Sequence, residues 1–329
     1  MADSSAADAY CEGVLAGDRR VIAKAITLLE SRRSDHRELG QRVLDRLAPH
    51  AGRAIRVGIT GAPGVGKSSF IERLGLKLTG EGQRVAVLAV DPSSPVSGGS
   101  LLGDKTRMEE LSVHPEAFIR PSPSGGTLGG VAYRTREALL VCEAAGFPVV
   151  LVETVGVGQS EVEVRGMVDL FAVLLQPGAG DELQGMKKGL IEFADLLVVN
   201  KADGEQREAA ERARTDHAAA LQLLGASDAV WTPRVQLASA LTGEGIDEFW
   251  ESALAHREAL SRTGELEVRR RRQARAWLWR LLDDGLRHAF RTDAEVAARL
   301  ADLERDVEAQ RLTAPRAARL LLQGYGSRT

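Results

Sequence analysis

Through Val14, Ile22, Ala23, Ile26 and Leu29, apolar residues recur at spacings of three and four, which predicts helical structure over residues 1–52 with one face packed against a neighbour. The pattern changes at Ile55, where short apolar runs begin to alternate with amphipathic ones as far as about Arg257. Seven of these runs predict strands: Ile55–Thr60, Val85–Val90, Ala117–Ile119, Val149–Glu153, Leu170–Gln176, Leu196–Asn200 and Val235–Ala238. Several are apolar throughout, as expected when helices cover both faces of a mainly parallel sheet. Beyond Arg257 the helical period returns, with Trp277, Leu278, Leu281, Leu282 and Leu286 on one stripe and a second helix around Val296 to Arg311. The chain therefore reads as an α/β domain over 53–257 between helical extensions at 1–52 and 258–329, the latter a candidate for self-association.

The first predicted strand runs into Gly61-Ala62-Pro63-Gly64-Val65-Gly66-Lys67-Ser68, a match to G-x-x-x-x-G-K-[ST], and an amphipathic stretch from Ser69 to Leu78 follows. Glycines at these positions let consecutive backbone N–H groups turn inward on phosphate oxygens, and the N-terminus of the next helix adds a favourable dipole. Lys67 would hold the β and γ phosphates, and Ser68 would place its hydroxyl on Mg2+, which takes hard oxygen ligands. The nucleotide is expected to touch the loop from Gly61 through Ser69. The fold class is thus a P-loop NTPase with a mainly parallel central sheet flanked by helices and extended at both termini.

A later strand ends in Asn200-Lys201-Ala202-Asp203, an N-K-x-D motif at the carboxyl edge of the sheet, where ligands of such folds collect. A carboxylate there accepts from both the ring N–H and the exocyclic amine of guanine, whereas adenine offers no such pair and leaves the charge unmet. GTP and GDP are the expected nucleotides. Ser239-Ala240-Leu241, after the last strand, is placed to offer backbone N–H groups to the guanine carbonyl oxygen, with a plain turn as the alternative. Two acids end apolar strands on the loop's side, Asp91 and Glu153, and both are candidate metal and water ligands. Each would equally serve as a cap of the turn that follows it, and that alternative stays open. Glu153-Thr154-Val155-Gly156 stands where other GTPases carry D-x-x-G, with Gly156 free to approach the γ-phosphate. Asp104, beside the glycine-rich segment Ser97–Gly103, is a third metal candidate.

The composition narrows the partners. With 27% charged and 44% hydrophobic residues among 329, and a formal net charge of −3, the chain has no global attraction for nucleic acid or anionic lipid. The basic run Arg269–Arg272 beside Trp277 and Trp279 reads as a solvated or interface face. Cys11 and Cys142 lack CxxC spacing, Cys142 reads as a small buried hydrophobe, and the six histidines show no close pairing. No run approaches the roughly 18 to 20 apolar residues of a membrane helix. The acidic, Ala/Ser-rich start from Met1 to Tyr10 is unlike a secretory signal, so a cytoplasmic location is expected.

Six segments together closely resemble one family: Gly61–Ser68, Val90–Ser94, Gly103–Met108, Ile119–Pro123, Glu153–Ser160 (ETVGVGQS) and Pro177–Lys188 (PGAGDELQGMKK), with Asn200–Asp203 completing the set. The chain resembles the methylmalonyl-CoA mutase-associated GTPases, the MeaB or ArgK type within the metallochaperone-like group of P-loop GTPases, over roughly residues 14 to 290. It departs from that pattern at Ser124-Gly125-Gly126-Thr127 and from Arg291 onward. The resemblance implies a homodimeric GTP hydrolase that couples its cycle to adenosylcobalamin loading, protection and repair of a cobalamin-dependent mutase, with the cobalamin adenosyltransferase as a further partner. It assigns Lys67 and Ser68 to phosphate and Mg2+, and Asp91, Asp104 and Glu153 to the metal and attacking water. It gives Gly180, Asp181, Glu182, Gln184, Lys187 and Lys188 to a switch facing the mutase, although their charges alone also suit a solvated loop. Two competitors are a nickel-delivering GTPase and an ATP-dependent kinase or transport ATPase. A third is a nucleotide sensor without turnover.

Overall fold

The computed structural model describes residues 2–31, 33–90, 108–121, 128–154, 160–178, 188–224 and 230–326. The chain divides into two compact units, Met1–Arg270 and Arg271–Thr329.

The first unit opens with helices α1 (Ala2–Leu15), α2 (Arg19–Glu30) and α3 (Ser34–Leu47). The helical run expected through Val14 to Leu29 is broken once. The backbone turns at Gly17, and the Asp18 carboxylate caps α2 by accepting from the N–H groups of Arg20 at 2.8 Å and Val21 at 3.3 Å. Periodicity is blind to this break because Val14, Ile22 and Ile26 on either side enter one core. All seven predicted strands are present with ends within two residues of expectation: β1 Ile55–Gly61, β2 Val85–Val90, β3 Ala117–Pro121, β4 Val149–Thr154, β5 Leu170–Leu175, β6 Leu196–Val199 and β7 Arg234–Leu237. They form one all-parallel sheet in the order β3-β2-β4-β1-β5-β6-β7.

Between the strands run α4 (Lys67–Gly80), α5 (Glu109–Val113), α6 (Leu128–Ala144), α7 (Ser160–Arg165), α8 (Lys188–Glu192) and α9 (Arg207–Leu224), with α10 (Ile246–Thr263) after β7. Side chains alternate across the pleat, so β2 feeds two cores. Val85 and Val87 join Phe70, Leu74 and Leu78 of α4 and Phe249 of α10, while Ala86, Leu88 and Val90 join Ile22 and Ile26 of α2 and Leu139 of α6. Phe70 and Phe249 meet edge to face at 4.9 Å, which locks α4 to α10. No helix among the described residues is long and apolar enough to cross a membrane.

The amino edge of the sheet carries a buried charge network. Arg56 of β1 makes two 2.8 Å bonds to Glu143, and Arg270 donates to both oxygens of Asp169 at 2.8 and 2.6 Å. Arg269 reaches Asp195 at 3.2 Å, whose carboxylate also accepts from the Phe171 N–H at 2.9 Å. Arg269 and Arg270 of the basic run are thus engaged by acids.

Helix α11 (Glu265–Thr292) begins in the first unit. The second unit holds its remainder with α12 (Ala294–Glu308), the helix expected around Val296 to Arg311, and α13 (Ala314–Gly326), which the sequence pattern did not predict. Asp293 caps α12 through the N–H groups of Glu295 and Val296. Phe290 and Tyr325 meet edge to face at 5.4 Å. Of the expected stripe on α11, Leu278, Leu282 and Leu286 are exposed while Trp277 and Leu281 are half-buried, and Trp279 beside it is exposed as well.

Candidate functional site

Ligands of parallel α/β sheets gather at the carboxyl ends of the strands, and the loop after β1 lies there. Two of its glycines are demanded by close approach. A Cβ on Gly61 would come within 2.4 Å of the Leu174 carbonyl oxygen, and one on Gly66 would meet the Asn200 carboxamide nitrogen at 2.7 Å, both with backbone φ in the positive range. The helix begins at Lys67, two residues before the amphipathic run, so its free N–H groups open directly on the loop. The Lys67 ammonium is buried and donates to the carbonyls of Gly61 at 2.8 Å and Ala62 at 3.1 Å. The Ser68 hydroxyl donates to Glu153 Oε1 at 2.7 Å. That contact follows from register: Glu153 lies opposite Ile59, so the end of β4 comes beside the loop after β1. Just beyond, Thr154 donates to the buried Thr60 hydroxyl at 2.6 Å and ties the two strand ends together.

Ser68 and Glu153 are hard oxygen donors at hydrogen-bond distance from each other, a donor set that fits Mg2+. Asp91 and Asp104, the other two metal candidates, lie outside the described residues, as do Gly180, Asp181, Glu182, Gln184 and Lys187. Of Lys188 the backbone is described, as the first residue of α8.

The N-K-x-D segment leaves β6 and folds over the phosphate loop. Asn200 is buried and bridges two loops: its Nδ2 donates to the Val65 carbonyl at 2.8 Å, and its Oδ1 accepts from the Ala240 N–H at 3.1 Å. Lys201 adopts a left-handed backbone at φ 60°, uncommon for a residue with a Cβ, and its ammonium reaches the Gly64 carbonyl at 2.7 Å. Asp203 accepts the Ser239 hydroxyl at 2.6 Å. Ser239 is fully buried, and its N–H donates to the Glu244 carbonyl at 2.9 Å, so its hydroxyl is the group it turns to the motif. Leu241 is exposed at the rim.

The structure therefore brings Gly61–Ser69, Glu153, Asn200–Asp203 and Ser239–Leu241 to one edge of the sheet. Three participants were not legible in the chain. The Thr60–Thr154 pair joins residues from distant segments, Ser239 acts through a side chain rather than a backbone amide, and Arg73 of α4 donates to the carbonyls of Ala240 at 3.3 Å and Leu241 at 2.8 Å. Thr154 and Ser239 lie in segments the sequence singles out, but nothing local marks these side-chain contacts. Cys142 lies in the core, where burial, with the charge of Glu143 adding to it, pushes its thiol up and keeps it protonated.

Residues 22–295 match the family model described as methylmalonyl Co-A mutase-associated GTPase MeaB. A putative GTPase of Caulobacter vibrioides is 56% identical over 95% of this chain and 96% of its own. A methylmalonic aciduria type A homolog, mitochondrial, from Mus musculus is 46% identical over 98% of this chain and 80% of its own. A solved structure described as a LAO/AO transport system kinase covers 98% of both chains at 37% identity with a TM-score of 0.78.

Proposed function

The chain belongs to the family of methylmalonyl Co-A mutase-associated GTPases and is a GTP hydrolase, and from that premise we propose that it is the chaperone of a cobalamin-dependent acyl-CoA mutase. In this reading GTP binding and hydrolysis drive adenosylcobalamin loading, protection and repair of the mutase, with the cobalamin adenosyltransferase as donor. The observation that carries it is the continuous family match, which spans the nucleotide loop, the base motif and the segments between them.

The site's own residues account for the hydrolytic half. Phosphoryl transfer to water asks for positioning and charge neutralisation. Lys67 and the N–H groups at the start of α4 take up charge on the β and γ phosphate oxygens. Glu153 orients the attacking water, and Ser68 and Glu153, with Asp91 and Asp104, are the residues that would hold Mg2+. Mg2+ held there would supply positive charge against the charge that develops on the phosphates. Asp203, held by Ser239, accepts the guanine N–H groups, and Asn200 carries the arrangement of the base side to the phosphate loop. Because Glu153 runs straight into Val155–Ser160, loss of the γ-phosphate changes the footing of that segment, which together with Gly180–Lys188 signals nucleotide state to the mutase. The exposed stripe on α11 makes the protein a homodimer.

Two measurements test the reading. Mutase should co-purify with the protein more strongly in one nucleotide state, set by a non-hydrolysable GTP analogue against GDP, and hydrolysis at saturating GTP should speed up when mutase is added. Equal rates with and without mutase would sink the coupling. The kinase or transport-ATPase reading needs ATP, so GTP but not ATP should raise the melting temperature; a ligand at about a hundred times its Kd stabilises the state it binds by about 2.7 kcal/mol.

A further inference from the structure

Resting on the guanine assignment above, we infer that Arg73 is a positioning residue for base recognition: from the phosphate-loop helix it sets the orientation of the Asp203 carboxylate through the Leu241–Thr242 peptide and Ser239. The connection is a chain of single contacts. Arg73 Nη2 donates to the Leu241 carbonyl at 2.8 Å and its Nε to the Ala240 carbonyl at 3.3 Å. A peptide group is planar and trans, so pinning the Leu241 carbonyl aims the Thr242 N–H to the opposite side. That N–H donates to Ser239 Oγ at 3.1 Å, and Ser239 passes its own proton to Asp203 Oδ1 at 2.6 Å. With one hydroxyl proton and one incoming N–H, the Ser239 oxygen has a fixed donor direction, and one oxygen of Asp203 is thereby held.

The guanidinium suits this task. Its planar fork serves two neighbouring carbonyls at once, which a lysine ammonium cannot do with the same directionality. The anchor is firm, because Arg73 lies on α4 three residues after Phe70, whose ring packs on Phe249 in the core. One helix thus holds the phosphates by its N-terminus and the base loop by its side. Lys77, one turn further along α4, pairs instead with Glu81 and with Asp247 at 2.8 Å, so it belongs to the same surface without touching the carbonyls of residues 240 and 241. It is the natural control.

The test uses the full-length protein and two nucleotides measured side by side: GDP, and purine riboside 5′-diphosphate, which keeps sugar and phosphates but lacks the 6-oxo, the N1–H and the 2-amino group. Losing the preorganisation of a recognition loop costs roughly three- to tenfold in affinity. Arg73→Ala should weaken GDP by that factor and leave purine riboside diphosphate within about twofold, so the ratio of the two falls. Arg73→Lys should recover part of the loss, and Lys77→Ala should leave the ratio unchanged. In an Asp203→Asn background, where the charge being positioned is gone, Arg73→Ala should change GDP binding by less than about twofold. An equal loss for both nucleotides, no loss for either, or the full loss persisting beside Asp203→Asn would each overturn the inference. A parent protein that binds GDP no better than purine riboside diphosphate would instead overturn the guanine assignment itself.

Discussion

Ser68 and Glu153 show what a residue's neighbour decides. Glu153 was open to two roles in the chain, a cap or a metal-side acid, and the structure puts its carboxylate on the Ser68 hydroxyl, the group expected to face the metal. Glu153→Gln keeps the size and loses the charge, so single-turnover hydrolysis should fall by about a hundred- to a thousandfold while GDP binding stays within severalfold; a loss of binding with intact hydrolysis would move Glu153 out of the chemistry. The phosphate loop was legible because its eight residues are contiguous and each is there for a backbone or charge reason. The side-chain role of Ser239, and Arg73 altogether, were not, because what they touch is brought to them by the return of the chain after β7. Glu137 of α6 is a separate case. Burial, against a small opposing pull from Arg134, raises its pKa from 4.5 to about 8. The folded state keeps this proton where an unfolded chain releases it, so stability falls as pH rises from about 4.5 to 8. Glu137→Gln should match the parent below that window and exceed it at about pH 8 by on the order of 3 kcal/mol, read from urea midpoints at both pH values.

At the scale of elements, the strands were legible because a sheet buried on both faces writes itself as uninterrupted apolar runs. The Gly17-Asp18 turn was hidden within a period that both helices share. Helix α13 was missed for a related reason: its apolar residues are bunched at Leu320–Leu322, and only Ala317 and Leu321 show the one-turn spacing of a packed face. Charges at the amino ends of β5 and β6 then do what no pattern of apolar residues can, fixing the opening residues of α11 within the first unit by salt bridges from Arg269 and Arg270. Burial pushes Asp195 up, but neighbouring His256 and the charges of Arg165 and Arg269 outweigh it and bring its carboxyl down to about 2. That stability is present above the unfolded value of 3.8 and is lost as pH falls from there toward 2. Asp195→Asn leaves two arginines facing a neutral amide and should cost about 3–5 kcal/mol at neutral pH. The deficit should narrow as the medium is taken from about pH 4 toward 2, where the unfolded parent takes up a proton that the folded carboxylate still refuses. A deficit of constant size across that range would assign the effect to packing.

At the scale of the whole molecule, the groups of the nucleotide site described here fall within residues 60–245, while the apolar stripe on α11 serves no core. Leu278, Trp279, Leu282 and Leu286 are 54%, 58%, 44% and 61% exposed, at helical positions that share one face. Single exposed leucines are ordinary, but a tryptophan and three leucines on one stripe form a patch of the kind that marks an interface. A twofold dimer would place the same stripe of each copy in contact, so one substitution acts twice. Replacing Leu282 and Leu286 together by Glu puts four like charges into that contact and none into a core. Sedimentation should then show the parent as a dimer and the variant as a monomer at the same concentration, and the parent's melting temperature should rise with concentration while the variant's does not. Single-turnover hydrolysis should stay within about twofold, since the groups argued to act on GTP all lie on the first unit. A variant that remains dimeric with unchanged helicity would show that the stripe is covered by something other than a second copy of the chain.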